Sequence, residues 1–441
     1  MSKRRRNKRD LNEYLADIET LSHEGRGIAH VDEKTAFIFN ALPGEQVKFR
    51  YTKKRNKIAE GSSTEIIKAS PQRIEPKCPN FTLCGGCSLQ HIDGDFQRTF
   101  KRKVALELLE NQGIAPETLL PTLQGPEWGY RRKARIGVKY VYKKEMMMVG
   151  FRERSSSLIA NMNECHVLDP RLGFKIEAMK AWIGSLEARD KIPQLEIAAT
   201  DERVALIIRH LEPLSESDLE AIKAFANKHQ FDIYLQSKGI DTITLFVGES
   251  AELSYQLPEF NLNFKFLPFQ FTQVNNDINQ KMVSQALRLL DLQPDDTVLD
   301  LFCGIGNFTL AAATQAKHVT GVEVDRLAID QANKNAALNN LSNVEFHVGN
   351  LFEDCHDLSW ARRRYDKVLL DPPRSGAAEI LPLIPIWQPQ SIVYVSCNPS
   401  TFARDAAILK EQNYILVEFG TMDMFPHTQH TEVMGLFKKI V

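Results

Sequence analysis

The stretch Thr297–Leu310 (TVLDLFCGIGNFTL) constrains the fold more than any other part of the 441-residue chain. An apolar, β-branched run ends in an acid, turns through Gly304-Ile305-Gly306 and enters a helix-forming segment. That is the pattern of a buried parallel strand, a tight turn and a helix start. The two glycines permit the sharp turn and let the backbone approach a ligand closely. Position 309 is Thr, so the dinucleotide fingerprint G-x-G-x-x-G is incomplete and no dinucleotide site is expected.

The following residues repeat the theme. His318–Asp325, Val344–Asn350, Asp366–Asp371 and Ser391–Val395 read as further strands, with helical spacing over Arg326–Asn340. Strands alternating with helices predict an α/β domain with a parallel, doubly wound, Rossmann-like sheet. Its ligands belong at the carboxyl ends of the strands, where Asp300, Glu323, Asn350, Asp371 and Cys397 all fall. An acid about 20 residues past the glycines is where such folds contact ribose hydroxyls. The form D-x-F-x-G-x-G at Asp300–Gly306 resembles motif I of class I S-adenosylmethionine (SAM) methyltransferases.

The length predicts two to four domains. Net charge is −1, yet the basic residues are bunched: six of nine in Met1–Arg9, six of ten in Lys48–Lys57 and five of ten in Tyr130–Lys139. Three such patches suit a polyanion, and together they favour nucleic acid over a merely solvated surface. No apolar run reaches about 18 residues and none follows the basic amino terminus, so neither a membrane span nor a signal peptide is expected. Seven cysteines, an odd number, then point to a reducing, cytoplasmic setting and to reactive or metal-ligating thiols. No obligate protein partner is evident.

From about Leu11 to Lys68 short apolar runs are separated by Gly25-Arg26-Gly27 and Pro43-Gly44, a small all-β unit. The pattern Gly25-x-Gly27-Ile28-Ala29 followed by Ala41-Leu42-Pro43-Gly44-Glu45 is similar to the TRAM domain, an OB-like, RNA-binding five-strand barrel. Next comes Cys78-x5-Cys84-x2-Cys87, bracketed by Pro and Gly. The spacing leaves iron–sulfur, zinc and no metal open, because zinc usually shows two C-x-x-C pairs and a cluster needs a fourth thiolate. Cys165 is the candidate fourth ligand. Phe96–Gly113 reads as an amphipathic helix, and Trp128–Phe266 as strand-rich with helices near Lys175–Leu186 and Ser217–His229, a central α+β unit. A helix over Asn276–Leu290 precedes the Gly304–Gly306 turn.

Cys397 follows a predicted buried strand and precedes Asn398-Pro399, which turns the chain outward and sets the thiol on the ligand rim. A single Cys is by default an inert core residue. A rim thiolate is different, since it is a nucleophile. Oxygen and nitrogen acceptors attack a SAM methyl with their own lone pairs, whereas carbon-5 of uracil lacks the electron density. Thiolate addition to carbon-6 makes carbon-5 an enolate carbon, and a base then removes its proton. Glu432, at the start of the last strand in His427-Thr-Gln-His430-Thr-Glu432, is the candidate base, its carboxylate lifted toward neutral pH by partial burial. Taken alone, that stretch reads equally as a surface loop; a His/His/Glu metal site is disfavoured, because this chemistry leaves a metal no task.

Together DLFCGIGNFTL, LLDPPR, SCNP and HTQHTEV resemble the RNA uracil-5-methyltransferase family over essentially the whole chain. The resemblance implies Cys397 as nucleophile and Glu432 as proton-abstracting base. It implies SAM contacts from Gln273, Phe302, Asn307, Glu323, Asn350 and Asp371. Cys78, Cys84, Cys87 and Cys165 match the ligands of that family's [4Fe-4S] cluster, expected to be structural and to order an RNA-binding surface. A TRAM unit together with a cluster matches the branch that methylates one uridine of 23S rRNA. The alternatives are a tRNA uracil-5-methyltransferase and a non-catalytic TRAM-type RNA-binding protein. The implied domains are 1–74 (TRAM barrel with basic tail), 75–92 with 126–270 (central iron–sulfur and RNA-binding domain), and 93–125 with 271–441 (SAM-dependent methyltransferase domain).

Overall fold

The computed structural model describes residues 12–249 and 251–440; the basic stretch Met1–Arg9 lies outside them. The chain forms two compact units. Among the described residues no helix is long and apolar enough to cross a membrane.

The first unit comprises Met1–Phe100 with Glu153–Ser156 and Pro426–Gln429. Its six-stranded sheet runs in the order Tyr14–Asp17, Gln46–Lys54, Ile58–Lys68, Lys34–Phe39, Gly27–Val31, Thr20–Leu21. That is one strand more than the five expected, the extra being the two-residue Thr20–Leu21. Period-two alternation decides which side chains go inside. In Gln46–Lys54, Val47, Phe49 and Tyr51 enter a core with Ile38, Ala29 and Ala59, while Lys48 and Arg50 point out. The outward basic residues meet acids: Lys48–Glu65 at 2.7 Å, Arg50–Glu13 at 2.9 Å and Lys53–Glu60 at 3.4 Å. Exposed pairs of this kind contribute little to stability.

The second unit holds two sheets and a hairpin. A six-stranded sheet orders Ile243–Val247, Phe231–Gln236, Val204–Arg209, Gln194–Ala199, Lys133–Val141 and Met146–Gly150, with helices Ile176–Ser185 and Glu216–His229. Leu253–Leu257 and Leu262–Phe266 pair as a separate hairpin. Gln194–Ala199 and this hairpin fall within the stretch Trp128–Phe266 that reads as strand-rich.

The large sheet carries the site. Its strands in chain order are β1 (Thr297–Leu301), β2 (His318–Glu323), β3 (Val344–Val348), β4 (Lys367–Leu370), β5 (Ser391–Ser396), β6 (Tyr414–Met422) and β7 (Glu432–Lys439). Their spatial order is β3-β2-β1-β4-β5-β7-β6, with the short strand Thr118–Leu119 beyond β6. β1 to β5 are mutually parallel, as expected. At the far side the sheet goes beyond the five strands read from the sequence: β7 inserts antiparallel between β5 and β6. A hairpin needs no crossover helix, so the last two strands could join without one.

Helices cover both faces. We label α1 (Gly94–Glu110), α2 (Asn276–Leu290), α3 (Arg326–Leu338) and α4 (Pro399–Glu411). On α2, Ile278, Met282, Val283, Leu287 and Leu290 recur at helical spacing and are buried with β1 and β5 residues Val298, Val393 and Val395. Each such side chain contributes roughly 1.5–3 kcal/mol. Asn275 caps α2, its side chain accepting from Ile278 N. On the opposite face Ala105 and Leu109 of α1 and Phe402, Ala406 and Leu409 of α4 share a core with Leu299, Leu370 and Tyr394.

Candidate active site

The turn after β1 is strained by design of its sequence. Phe302, Gly304 and Gly306 all take positive φ (65°, 55° and 90°), and Phe302 N and Cys303 N both donate to Val322 O on β2. This opens the turn at the strand end and leaves room above it. The acid of the motif does not reach that room. Asp300 is buried, accepts from Thr309 Oγ1 at 2.5 Å and is pushed up to about 7 by desolvation. The expectation that Asp300 stands on the ligand rim is therefore corrected: β1 ends one residue later, at Leu301, and the side chain faces the helix start.

A cavity of about 560 Å³ opens at the carboxyl edge of the sheet. Its walls include Gln273, Phe302, Glu323, Asn350, Asp371, Cys397 and Glu432, brought together from the carboxyl ends of β1 to β5, the start of β7 and the segment before α2. Glu323 ends β2; one oxygen accepts from Gly304 N and the other from Val324 N and Asp325 N. Backbone donors thus fix the carboxylate at the glycine turn. Asn350 follows β3 and accepts from Phe352 N, whose ring packs 5.8 Å from that of Phe302. Asn307 is the exception: it is not on the cavity wall. Its amide is committed to Tyr255 Oη (2.9 Å) and Asn279 (2.8 and 3.2 Å).

Three neighbouring strands deliver the reactive groups. Asp371 follows β4, Cys397 follows β5, and Glu432 begins β7, which pairs with β5 so that Val433 lies opposite Ser396. Cys397 is held at the strand-to-helix junction because Asn398 caps α4 by accepting from Ser400 N and Pro399 occupies its first turn. Burial, then Glu432 and Asp371, push the Cys397 thiol up to about 11, while Arg374 pulls it down. Desolvation, then Asp371, push Glu432 up to about 8, and desolvation pushes Asp371 up to about 7. The resting thiol is therefore protonated, and the expected thiolate must be formed within the site.

Arg374, Phe425 and Phe271 also line the cavity and were not singled out as site residues from the sequence; His430, read only as part of a metal-site alternative, lines it too. Arg374 follows Asp371-Pro-Pro in a loop held by Asn398 Nδ2 to Arg374 O (2.9 Å) and by Ala377 N to the buried Asp405 (2.8 Å). Desolvation, and the cations Arg374, Lys101 and Arg131, push His430 down to about 4, so its ring is neutral. Phe271 is 73% exposed on the rim. Its signal was the aromatic and amide alternation in Phe269–Gln273.

Of the four cysteines read as ligands, Cys78, Cys84 and Cys87 belong to the first unit and Cys165 to the second; all are buried. In the first unit Cys84 Sγ accepts from Gly86 N at 3.3 Å, and desolvation pushes its thiol up. The Arg154 guanidinium donates to the carbonyls of Phe81, Cys84 and Cys87 and lies over the Phe39 ring. Among the described residues no three His, Cys, Asp or Glu side chains form a group that could hold a metal ion. This bears on His427, His430 and Glu432 as well as on the cysteines.

The family model described as tRNA (Uracil-5-)-methyltransferase matches residues 120–440, and the TRAM domain model matches 12–63. The chain is 49% identical over 428 residues to a protein of Alcanivorax borkumensis named 23S rRNA (uracil(1939)-C(5))-methyltransferase RlmD, covering 96% of each. A protein of Hahella chejuensis with the same name is 48% identical, with 99% of each covered. Among solved structures, the Pyrococcus abyssi tRNA (uracil-54, C5)-methyltransferase in complex with S-adenosyl-L-homocysteine superposes with a TM-score of 0.74 at 23% identity, over 96% of this chain and 100% of that one.

Proposed function

This chain belongs to the tRNA (uracil-5-)-methyltransferase family, and from that premise we propose that it methylates carbon-5 of one uridine of 23S rRNA, with SAM as donor. The single observation that carries the reading is the convergence of a thiol, Cys397, and two carboxyls, Asp371 and Glu432, in one cavity at the carboxyl edge of the sheet. Methylation at oxygen or nitrogen needs no thiol. The rRNA rather than tRNA assignment rests on the names of relatives at 48–49% identity.

Glu323, Asn350, Phe302 and Asp371 would hold the cofactor. Bound there, SAM supplies a methyl group on a sulfonium, an electrophile. The chain's own residues do the rest. A bound sulfonium would favour ionised carboxylates, so the protons that burial holds on Asp371 and Glu432 at rest would leave on its binding. The Cys397 thiol would then give its proton to a pocket carboxylate other than Glu432 as its sulfur bonds to carbon-6 of the uracil, and the carbon-5–carbon-6 π pair would move into the enolate, leaving carbon-5 able to take the methyl. Glu432, ionised, would remove the carbon-5 proton; the double bond would re-form and the thiolate would leave, taking its proton back. Gln273, on the cavity wall, and Asn307, tied to Tyr255 and Asn279, are the further proposed contacts. Phe271 offers a ring face on which an unstacked base can rest.

The test is a denaturing gel of the protein incubated with SAM and 5-fluorouridine-containing RNA, with 23S rRNA fragments beside tRNA. Fluorine cannot leave as a proton, so the covalent species stalls. A shifted band with the rRNA alone is expected. A band with tRNA alone would keep the chemistry and overturn the substrate. No band with either would favour a non-catalytic RNA-binding protein.

We propose further that Cys78, Cys84 and Cys87, with Cys165 as fourth thiolate, hold a [4Fe-4S] cluster of structural role. The donor set supports it: buried thiols and an N–H aimed at the Cys84 sulfur. Anaerobically purified protein is expected to contain about four irons and four acid-labile sulfides per chain; zinc alone, or neither, would sink the assignment.

A further inference from the structure

The catalytic base is delivered by a connector that has its own anchor. Residues 423–431 join β6 to β7, and the register of these strands sets Met422 opposite Glu432. The residue that enters the connector, Asp423, is buried and paired with Lys101 of α1 at 2.7 Å, the side chains being only 4% and 3% exposed. The same ammonium donates to Phe425 O at 3.0 Å. Asp423 N donates to Leu123 O at 2.8 Å, and Asn275 Nδ2 to Met424 O at 3.4 Å. Phe425 in turn packs edge-on against His430, ring centres 5.8 Å apart. Phe425, His430 and Glu432 share the cavity wall.

A pair this deeply buried is a poor stabiliser, because desolvation of two charges offsets most of their attraction. What it does provide is geometry. One lysine fixes both a side chain and a main-chain carbonyl of the connector, and so sets where the wall of Phe425, His430 and Glu432 stands. We propose that Lys101 and Asp423 are positioning residues for the proton-abstraction step, acting through Glu432 on the attached, methylated uracil. The proposal rests on the reading of Glu432 as base. It assigns no part in the addition of Cys397, which α4 and the Arg374 loop hold independently.

The experiment follows natural-base 23S rRNA substrate, in single turnover, through two gel-resolved species: the covalent methylated adduct and free methylated RNA. Lys101→Met is expected to form the adduct near the wild-type rate and to release it about 10²-fold more slowly, the scale of an ångström-sized misplacement of a catalytic group. Lys101→Arg, which keeps a donor for both oxygens, should restore much of the release rate. Because a lone buried carboxylate can unfold the protein, the double variant Lys101→Met/Asp423→Leu is run beside it; it removes both charges and the donor to Phe425 O, and it too should hold the adduct. A merely structural role would depress formation and release together, and that result overturns the proposal, as does wild-type release by the double variant. Glu432→Gln is the control that separates the two readings. If it holds the adduct and the Lys101 variants do not, only the positioning proposal falls. If it releases RNA normally, the base reading falls and the positioning proposal with it.

Discussion

Cys397→Ala is expected to abolish methylation, lowering turnover by roughly 10⁴-fold or more, the scale seen when a covalent nucleophile is removed. The substitution takes away the one group in the cavity able to add to carbon-6, and no other wall residue can make carbon-5 nucleophilic. Its structural cost should be small. The side chain is half-buried at a strand end, and the α4 cap is made by Asn398 and is untouched. Cofactor binding should therefore survive, since Glu323 and Asn350 are held by backbone donors elsewhere on the rim. Two measurements check this: SAM affinity by calorimetry, and covalent capture of 5-fluorouridine RNA on a denaturing gel. Unchanged affinity with no captured band is the expected pair. A captured band in the alanine variant would move the nucleophile to another residue. Loss of SAM binding as well would mean that Cys397 shapes the cofactor site.

Glu432→Gln is expected to stop the reaction one step later. Methylated RNA should accumulate attached to the protein, with release slowed by roughly 10²–10⁴-fold, the usual contribution of a positioned base. The same variant reports on the resting proton. Glu432 is raised from 4.5 to about 8 by desolvation and then by Asp371. Between these values the folded protein holds a proton that the unfolded chain has released, so stability falls as pH rises through the window. Asp371 and Asp300, each raised from 3.8 to about 7, add to the fall at its lower end. His91 and His430, pulled from 6.5 down to about 3 and about 4, oppose the fall below about pH 6.5, so thermal melts of the ligand-free protein should move down between about pH 6.5 and pH 8. The Gln variant, neutral throughout, should show a shallower slope. Equal slopes would mean that Glu432 is already ionised at rest. A bound sulfonium would favour the ionised carboxylates, so SAM should reduce the wild-type slope.

Much of the methyl-transfer machinery was legible along the chain because it is written in short, local patterns. β1 and its turn follow from a run of branched apolar residues and two glycines. α2 falls on the residues expected from its periodicity, with Asn275 as its cap. The Ser-Cys-Asn-Pro sequence predicts a strand that stops and a chain that turns outward, and the structure adds the reason: Asn398 is the helix cap. One miss is also local in origin: Asp300 reads as a rim acid from its place in the motif, but the side chain faces Thr309. In the same motif the Asn307 amide is tied to Tyr255, a residue 52 positions away. No periodicity reports which way a side chain turns at a strand end.

What the sequence alone determined is therefore the set of parts: a strand–turn–helix series with polar residues at each strand end, a β unit before it, a thiol and a carboxylate in the right chemical company. What only the tertiary structure decided is their conjunction and their charge. Cys397 and Glu432 meet because β7 inserts antiparallel beside β5, a choice made by side-chain packing across the sheet rather than by either strand's own pattern. Lys101, far from both in sequence, enters because α1 packs where the connector before β7 passes. The protonated resting thiol and carboxyls follow from burial among one another, and burial is a property of the folded chain: each residue's ionisation depends on neighbours that the linear order keeps tens to hundreds of positions apart.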